Sequence, residues 1–326
     1  MNAVLGIDTS CYTTSMALVD ADSGEILACE RELLRVKQGE CGLQQSAGVF
    51  EHVRQIPLIA QRLFDAYPQA QPVAICASVA PRSTQENSYM PVFRVGESIA
   101  RVLAASYHVP FYVTSHQDGH IRAALIDSGL DAHDDFLALH LSGGTTEMLA
   151  CRQGTLSIIG GSSDLQAGQL VDRIGVKLGL SFPSGPALEK LAVHGQARGE
   201  IGVSMKGCFC QLSGAETKLS RMIDTGLYTR EDIAAEVYDL LCRSIVRMVQ
   251  AGMEETGLSS ALLAGGVASS ALLRQLIAKR IQKRHLHMRV CFARAEYSGD
   301  NAVGVALIGC ERYRQSRIGW RKKDII

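Results

Sequence analysis

Residues 136–159 read FLALHLSGGTTEMLACRQGTLSII: strand, glycine turn, strand, turn, strand. The same grammar opens the chain, where VLGID (4–8), the turn TSCYTT, SMALVD (15–20), the turn Asp22-Ser23-Gly24 and EILACERELL (25–34) predict a three-stranded meander. Each meander is followed by helices and further strands. After the first come a helix around 47–67, a strand at PVAICASVA (72–80), helical spacing at 95–105 and a strand at VPFYVT (109–114). After the second come helices at 165–179, 212–224 and 229–256, a strand at ALLAGG (261–266), a helix at 268–284 and a last helix near Asp300. A repeated meander followed by helix–strand alternation predicts an α/β protein of two duplicated lobes, with a ligand in the crevice between them. The expected division is 1–135 for the N-terminal lobe, completed by a C-terminal helix at 300–318, then 136–299 for the C-terminal lobe and 319–326 for a basic tail.

Composition agrees with that architecture. At roughly 150 residues per domain, 326 residues suggest about two lobes. The hydrophobic fraction of 47% is that of an ordinary globular protein. Lys+Arg and Asp+Glu both total 33, which excludes a global polycation but not a local basic groove. MNAVLGIDTS has no basic n-region, and no stretch approaches 18 apolar residues, so neither a signal peptide nor a membrane span is expected. Ten cysteines without a pair of CxxC motifs read as reduced thiols of a cytoplasmic chain, and Cys208 and Cys210 as buried thiols rather than a metal or redox pair.

Three turns after buried strands, Asp8-Thr9-Ser10, Leu141-Ser142-Gly143-Gly144-Thr145 and Ala264-Gly265-Gly266-Val267, supply small residues where backbone N–H groups can approach a phosphate. The third leads straight into a helix, whose N-terminus favours an anion. Their order is that of the actin, sugar-kinase and heat-shock ATPase superfamily. His116-Gln117-Asp118-Gly119-His120 places two imidazoles at i and i+4, one turn apart on a helix, where they can grip one metal ion. A zincin peptidase needs Glu directly after the first His, and here that residue is Gln117. Asp300 offers a third ligand. Arg274, Lys279, Arg280, Lys283 and Arg284 on one helix, with Arg312, Arg314, Arg317, Arg321, Lys322 and Lys323 near the end, read as a solvated face and tail, with an RNA-tracking patch as the alternative. Trp320 reads as a packing anchor for the tail.

Assembled, these residues resemble the TsaD family of tRNA threonylcarbamoyladenosine synthase subunits, once called glycoprotease or peptidase M22. GIDTSCYTTS resembles the family's GIETSCDDT, SHQDGH its HxEGH and HLSGGTTEML its VSGGHTxL. GQLVDRIGVKLGLSFPSGPALEKLA (168–192) is similar to GEAFDKxAxLLGLxYPGGPxxxxxA. LSGAET (212–217), AGGVASSALLR (264–274) and YSGDNAVGVA (297–306) complete seven motifs in order.

The resemblance implies a metal-assisted acyltransferase on the actin-like fold. It would move threonylcarbamoyl from threonylcarbamoyl-AMP to the adenosine beside the anticodon of ANN-decoding tRNAs. His116, His120 and Asp300 would hold one divalent metal, iron or zinc. His140, Leu141, Ser142, Gly143 and Gly144, with Thr9 and Ser10, would line the adenylate or ATP/ADP. Asp172 would bind ribose hydroxyls, Gly185 would pack beneath the nucleoside and Ser270 would sit near the base. Partners implied are tRNA, a TsaB-like subunit and a TsaE-like ATPase. Tyr12, Thr145, Glu216 and Ser270 depart from the family pattern, as do 80–91 and the short 35–52 region. These departures suggest a divergent paralogue, with a non-catalytic scaffold or transfer of a carbamoyl-type group to another acceptor as the alternatives.

Overall fold

The computed structural model describes residues 1–34, 44–82 and 90–323, with the side chains of 318–323 left aside. Parts of two departing segments (35–43 and 83–89) therefore lie outside the described residues, as does the side chain of Trp320. The chain divides into two compact units, Met1–Ala123 with Gly299–Ile326, and Ala124–Ser298.

The first unit is built on β1 (Asn2–Thr9), whose seven residues after Asn2 are all buried, as a central strand covered on both faces requires. β2 (Thr13–Asp20) and β3 (Ile26–Leu33) extend the meander antiparallel. After α1 (Gln45–Ala66), β4 (Gln71–Ala80) returns parallel to β1. α2 (Pro91–Tyr107) then leads to β5 (Phe111–Ser115), parallel to β4, so the order is β3-β2-β1-β4-β5. α3 (His116–Ala124) leaves β5 without an intervening loop. The C-terminal helix, labelled α9 (Val303–Lys323), lies against β1, β2 and β4. Gly6 permits that approach, because a Cβ there would lie 2.6 Å from Ala306 N.

The second unit repeats the plan. β6 (Phe136–Leu141), β7 (Thr146–Arg152) and β8 (Thr155–Ser162) form an antiparallel meander. α4 (Ala167–Lys177), α5 (Gly185–Ala192), the short hairpin β9 (Ser204–Lys206) and β10 (Phe209–Gln211), α6 (Ser213–Thr225) and α7 (Arg230–Thr256) follow. β11 (Ser260–Ala264) pairs parallel with β6, α8 (Ala271–Lys283) crosses over, and β12 (Arg289–Phe292) pairs parallel with β11. The order β12-β11-β6-β7-β8 duplicates β5-β4-β1-β2-β3, with β10 and β9 added at the edge. The duplication expected from the repeated meander is therefore present in the sheets themselves.

Three sequence expectations are corrected. The first lobe ends at Ala123 rather than at 135, because 124–135 is tied into the second unit. Arg294 pairs with Asp127 at 2.7 Å, Arg289 donates to Gly129 O, and Gln153 N donates to Asp135 Oδ1 at 2.9 Å. The expected tail is not a loose end up to Lys323, since α9 carries on to that residue. Arg312, Arg314 and Arg317 are not tail charges but donate to Val113 O, Ala21 O and Asp22 Oδ1.

Candidate metal centre and nucleotide site

β5 runs directly into α3, so His116 and His120 fall on the first and second turns of a helix that starts at a strand end. Asp300 stands three residues before α9. The three side chains converge within the first unit, with one donor atom from each lying within 4.8 Å of the others. His116 Nε2 and His120 Nε2 are 2.9 Å apart, and Asp300 Oδ1 lies 3.2 Å from the latter and 3.7 Å from the former. Two imidazole nitrogens and one carboxylate oxygen form a donor set suited to zinc or ferrous iron, and poor in oxygen for calcium or magnesium. The residues fit the metal that the resemblance implies.

Asp8 supplies what the sequence did not reveal. It is fully buried at the end of β1, and its carboxylate lies 3.0 and 3.1 Å from His116 Nδ1. The Ser78 hydroxyl donates to Asp8 Oδ1. A carboxylate there holds the proton on Nδ1 and leaves the Nε2 lone pair directed at the other two donors, the arrangement of a carboxylate–histidine–metal triad. Burial opposes a charged His116, but the charge and hydrogen bond of Asp8, with Asp300 beyond, push its pKa up to about 9. Burial likewise opposes ionisation of Asp300, yet His120, the charges of both histidines and a Ser10 hydrogen bond hold it well below the usual carboxylate range.

The two N-terminal turn residues expected at a nucleotide have partners within the protein. Thr9 is fully buried; its hydroxyl donates to Val92 O at 2.9 Å and accepts from Gly96 N at 3.1 Å, which ties β1 to α2. Ser10 donates to Asp300 Oδ2 at 2.6 Å and therefore belongs to the metal centre. His52 braces this turn, with Nε2 2.8 Å from Ser10 O and Nδ1 2.7 Å from Thr14 Oγ1. Tyr12 lies beside it, about half exposed at 53%.

In the second unit, the turn after β6 is closed by Ser142 N to Thr145 O at 2.8 Å and Thr145 N to Ser142 Oγ at 3.1 Å. Neither bond uses the N–H of Gly143 or Gly144. A Cβ at either glycine would meet nothing within 4 Å, and neither has a positive φ. The fold therefore does not demand glycine at these two positions, and smallness there serves whatever approaches from outside. Gly168, at the start of α4, differs: its Cβ would lie 2.6 Å from Gly143 Cα. Gly144→Ala is expected to leave unfolding free energy within about 0.5 kcal/mol of the parent, while Gly168→Ala costs about 1–3 kcal/mol. Urea denaturation of the two variants separates them.

Leu141 is buried, and its carbonyl accepts from Val267 N at 3.0 Å, which ties β6 to the turn after β11. His140 stands at the end of β6, paired in register with Glu147 of β7, and its ring lies against Gly265. The helix end expected to receive an anion already has one: Glu189 Oε1 accepts from Leu272 N at 2.8 Å, and Ser270 Oγ caps Leu273 N at 3.1 Å. The first turn of α8 is thus filled by the chain's own carboxylate.

Asp172 and Gly185 are joined through the turn at Ser184, and Tyr238 of α7, which bonds to Gly185, went unnoticed in the sequence. Ser184 N donates to Asp172 Oδ1 at 2.7 Å, which leaves Oδ2 for a ligand. Burial raises the pKa of Asp172, partly offset by that N–H. Tyr238 Oη donates to Gly185 O at 3.2 Å. A Cβ on Gly185 would lie 3.8 Å from Val171 Cγ1, an ordinary contact, so here too the protein itself does not require glycine.

The remaining candidates take structural places. Cys208 and Cys210 are buried, and burial first of all pushes their pKa values up to about 12 and 11, as expected of inert thiols. Arg274 leaves the expected solvated face, because it donates to Ala268 O at 2.8 Å and Ala293 O at 2.6 Å, whereas Lys279, Lys283 and Arg284 are exposed. Glu216 sits in the first turn of α6, where a negative charge suits the helix dipole.

Comparison with known proteins agrees with this arrangement. The chain is 28% identical over 306 residues to a probable bifunctional tRNA threonylcarbamoyladenosine biosynthesis protein of Methanothermobacter thermautotrophicus, covering 94% of this chain and 55% of that one. It thus spans about half the length of that curated relative. Among solved structures it is similar to HypF of T. kodakarensis (TM-score 0.62, 16% identity, 96% of this chain and 48% of that one). It is also similar to a ROK family glucokinase from Streptomyces griseus (TM-score 0.56, 13% identity, 95% and 99%). These likenesses place both units in the actin-like, sugar-kinase fold. The family model for TsaD, tRNA N6-adenosine threonylcarbamoyltransferase, matches residues 88–307, a span that includes His116, His120 and Asp300, and the chain belongs to that family.

Proposed function

We propose that the chain transfers a threonylcarbamoyl group from threonylcarbamoyl-AMP to the exocyclic amine of the adenosine beside the anticodon of ANN-decoding tRNAs. The observation that carries this reading is the convergence of His116, His120 and Asp300, braced by Asp8 and Ser10, in a member of the TsaD family. A bound iron or zinc ion would supply a Lewis acid for charge developing on the transferred group or its phosphate. Asp8 keeps His116 in the ligating tautomer, and Ser10 holds Asp300 by its other oxygen. The N–H groups of Gly143 and Gly144 are donors for a phosphate or developing oxyanion. Asp172 Oδ2 accepts from ribose hydroxyls, and Gly185 leaves room for the nucleoside. In the reaction the amine nitrogen bonds to the acyl carbon, the bond from that carbon to the phosphate oxygen breaks, AMP departs and the amine gives up a proton. Lys279, Lys283 and Arg284 are exposed cations for an RNA backbone. A TsaB-like subunit, a TsaE-like ATPase and a cytoplasmic location complete the reading.

The test incubates the purified chain with unmodified ANN-decoding tRNA, threonylcarbamoyl-AMP and a TsaB-like partner, then reads digested nucleosides by mass spectrometry. Threonylcarbamoyladenosine that vanishes with chelator and returns with iron or zinc is the expected result. No product, with the adenylate still bound, would replace this reading by a scaffold or by transfer to another acceptor.

A further inference from the structure

Asp300 is held from a helix that carries none of the three metal donors. His52 of α1 is fully buried, and its Nε2 lies 2.8 Å from the carbonyl oxygen of Ser10. Ser10 in turn donates through Oγ to Asp300 Oδ2 at 2.6 Å, while Asp300 Oδ1 lies 3.2 Å from His120 Nε2. The Ser10 turn closes on itself through Ser10 N to Thr13 O at 3.1 Å and Thr13 N to Ser10 Oγ at 3.2 Å. Its carbonyl fastens it to α1.

Counting hydrogens shows which half of the ring does the fastening. Ser10 O can only accept, so His52 Nε2 must carry a hydrogen. Burial pushes the His52 pKa down, against the pull of the Ser10 carbonyl and the Asp8 charge, so at neutral pH the ring has that one hydrogen. Nδ1 is then an acceptor, 2.7 Å from Thr14 Oγ1. Thr14 has a single hydrogen and a second acceptor, Gln55 Oε1, at 2.5 Å. Gln55 cannot turn its amide round to help, because its Nε2 donates to Leu33 O at 3.1 Å. The chain from Ser10 O to Leu33 O thus has four contacts and three hydrogens, and the shortfall lies on the Nδ1 side. The Nε2 bond to Ser10 is complete; the Nδ1 contact is contested.

We propose that His52 is a positioning residue for the metal ligand Asp300, acting through Ser10 and by its Nε2–H alone. The Ser10 hydroxyl on Oδ2 stops the carboxylate from swinging and leaves Oδ1 facing the two histidines. This rests on the metal reading given above and adds to it a residue outside the ligand cluster, on a helix packed against β2 and β3.

The test compares His52→Gln with His52→Asn in the full chain. A glutamine side chain can place its amide nitrogen where Nε2 stands and an asparagine where Nδ1 stands, so only the first still donates to Ser10 O. Zinc affinity is measured by competition titration, and the thermal midpoint of the zinc-free protein is followed in parallel. His52→Asn should weaken zinc binding about tenfold, the lower end for partners of a ligating carboxylate, while His52→Gln stays close to the parent. Ser10→Ala should weaken it at least as much, and adding His52→Asn to Ser10→Ala should cost nothing further, since both cut one route. A merely structural histidine would lower the thermal midpoint in both variants and leave zinc affinity at the parental value, which overturns the proposal. Equal zinc losses in the two variants overturn it too, as do additive losses in the double variant. Should His52→Asn not fold, Ser10→Ala with parental zinc affinity has the same force. A parent that binds no zinc removes the metal reading itself, and the positioning role with it.

Discussion

His120→Ala is expected to lower affinity for zinc or ferrous iron by about a thousandfold and to abolish any metal-dependent transfer. Removing one of three protein ligands leaves His116 and Asp300, too few to hold an ion against water. The side chain is largely buried beside Asp300, with its Nε2 3.2 Å from Asp300 Oδ1, so its loss is felt first in the ligand cluster. A graded control is Asp8→Asn, which keeps the shape and removes the charge behind His116; losing the carboxylate that orients a ligating histidine costs about 10–100-fold. Both are read by metal analysis and competition titration. The pH dependence has a definite sign. With His116 raised to about 9, the metal-free protein carries an imidazolium paired with Asp8 at neutral pH. That pair contributes stability fully present below pH about 6.5 and lost as pH rises through about 9. Metal displaces the proton on Nε2, so apparent affinity should rise up to tenfold per pH unit toward pH 9 through this group and gain nothing from it above. An affinity flat between pH 7 and 9 would contradict the assigned His116–Asp8 pairing.

Gly304→Ala is the second large effect, and it acts through packing. α9 crosses α3 so closely that a Cβ on Gly304 would lie 1.8 Å from Gly119 O and 2.9 Å from Ala123 N. Both neighbours are backbone, so neither can rotate away; the helices must separate. Gly119 lies between the two histidines in sequence, and Gly304 follows Asp300 by four residues. The same shift that relieves the clash therefore parts the ligands. A loss of about 3 kcal/mol in unfolding free energy is expected, at the upper end for overpacking by one methyl. It should be accompanied by a hundredfold or greater fall in metal affinity. Chemical denaturation with and without zinc measures both: the parent gains stability from zinc, and the variant gains little. A Gly304→Ala protein of parental stability would mean that α3 and α9 do not meet at this crossing.

The two predictions mark a boundary between what was legible and what was not. The meanders were legible because a strand covered on both faces must be a continuous apolar run, as β1 and β6 are, and the turns between strands need Gly, Asp, Ser or Thr. The i, i+4 pair of α3 was legible because helical periodicity alone puts His116 above His120. Asp300 was reached through the order of motifs rather than through spacing. By contrast, Asp8 lies 108 residues from the His116 it orients, and Ser10 290 residues from the Asp300 it holds. Thr9 looked like a phosphate-turn residue because its type suits one; only the approach of α2 consumed its hydroxyl. The N-terminus of α8 looked like an anion site for the same reason, until Glu189 of α5 was found in it.

By itself, the sequence determined the duplicated α/β plan, the helix carrying the histidine pair and the choice of Asp300, which the fold brings beside that pair. Those properties are written in local periodicity and in residue types whose backbone preferences act over a few positions. The tertiary structure alone decided which polar groups remained available for chemistry. It spent Thr9, Ser270 and Arg274 on the fold, gave His116 its buried carboxylate and brought Tyr238 to Gly185. A buried hydroxyl or charge must find a partner wherever packing provides one, and that partner is fixed by the meeting of distant elements rather than by neighbours in the chain.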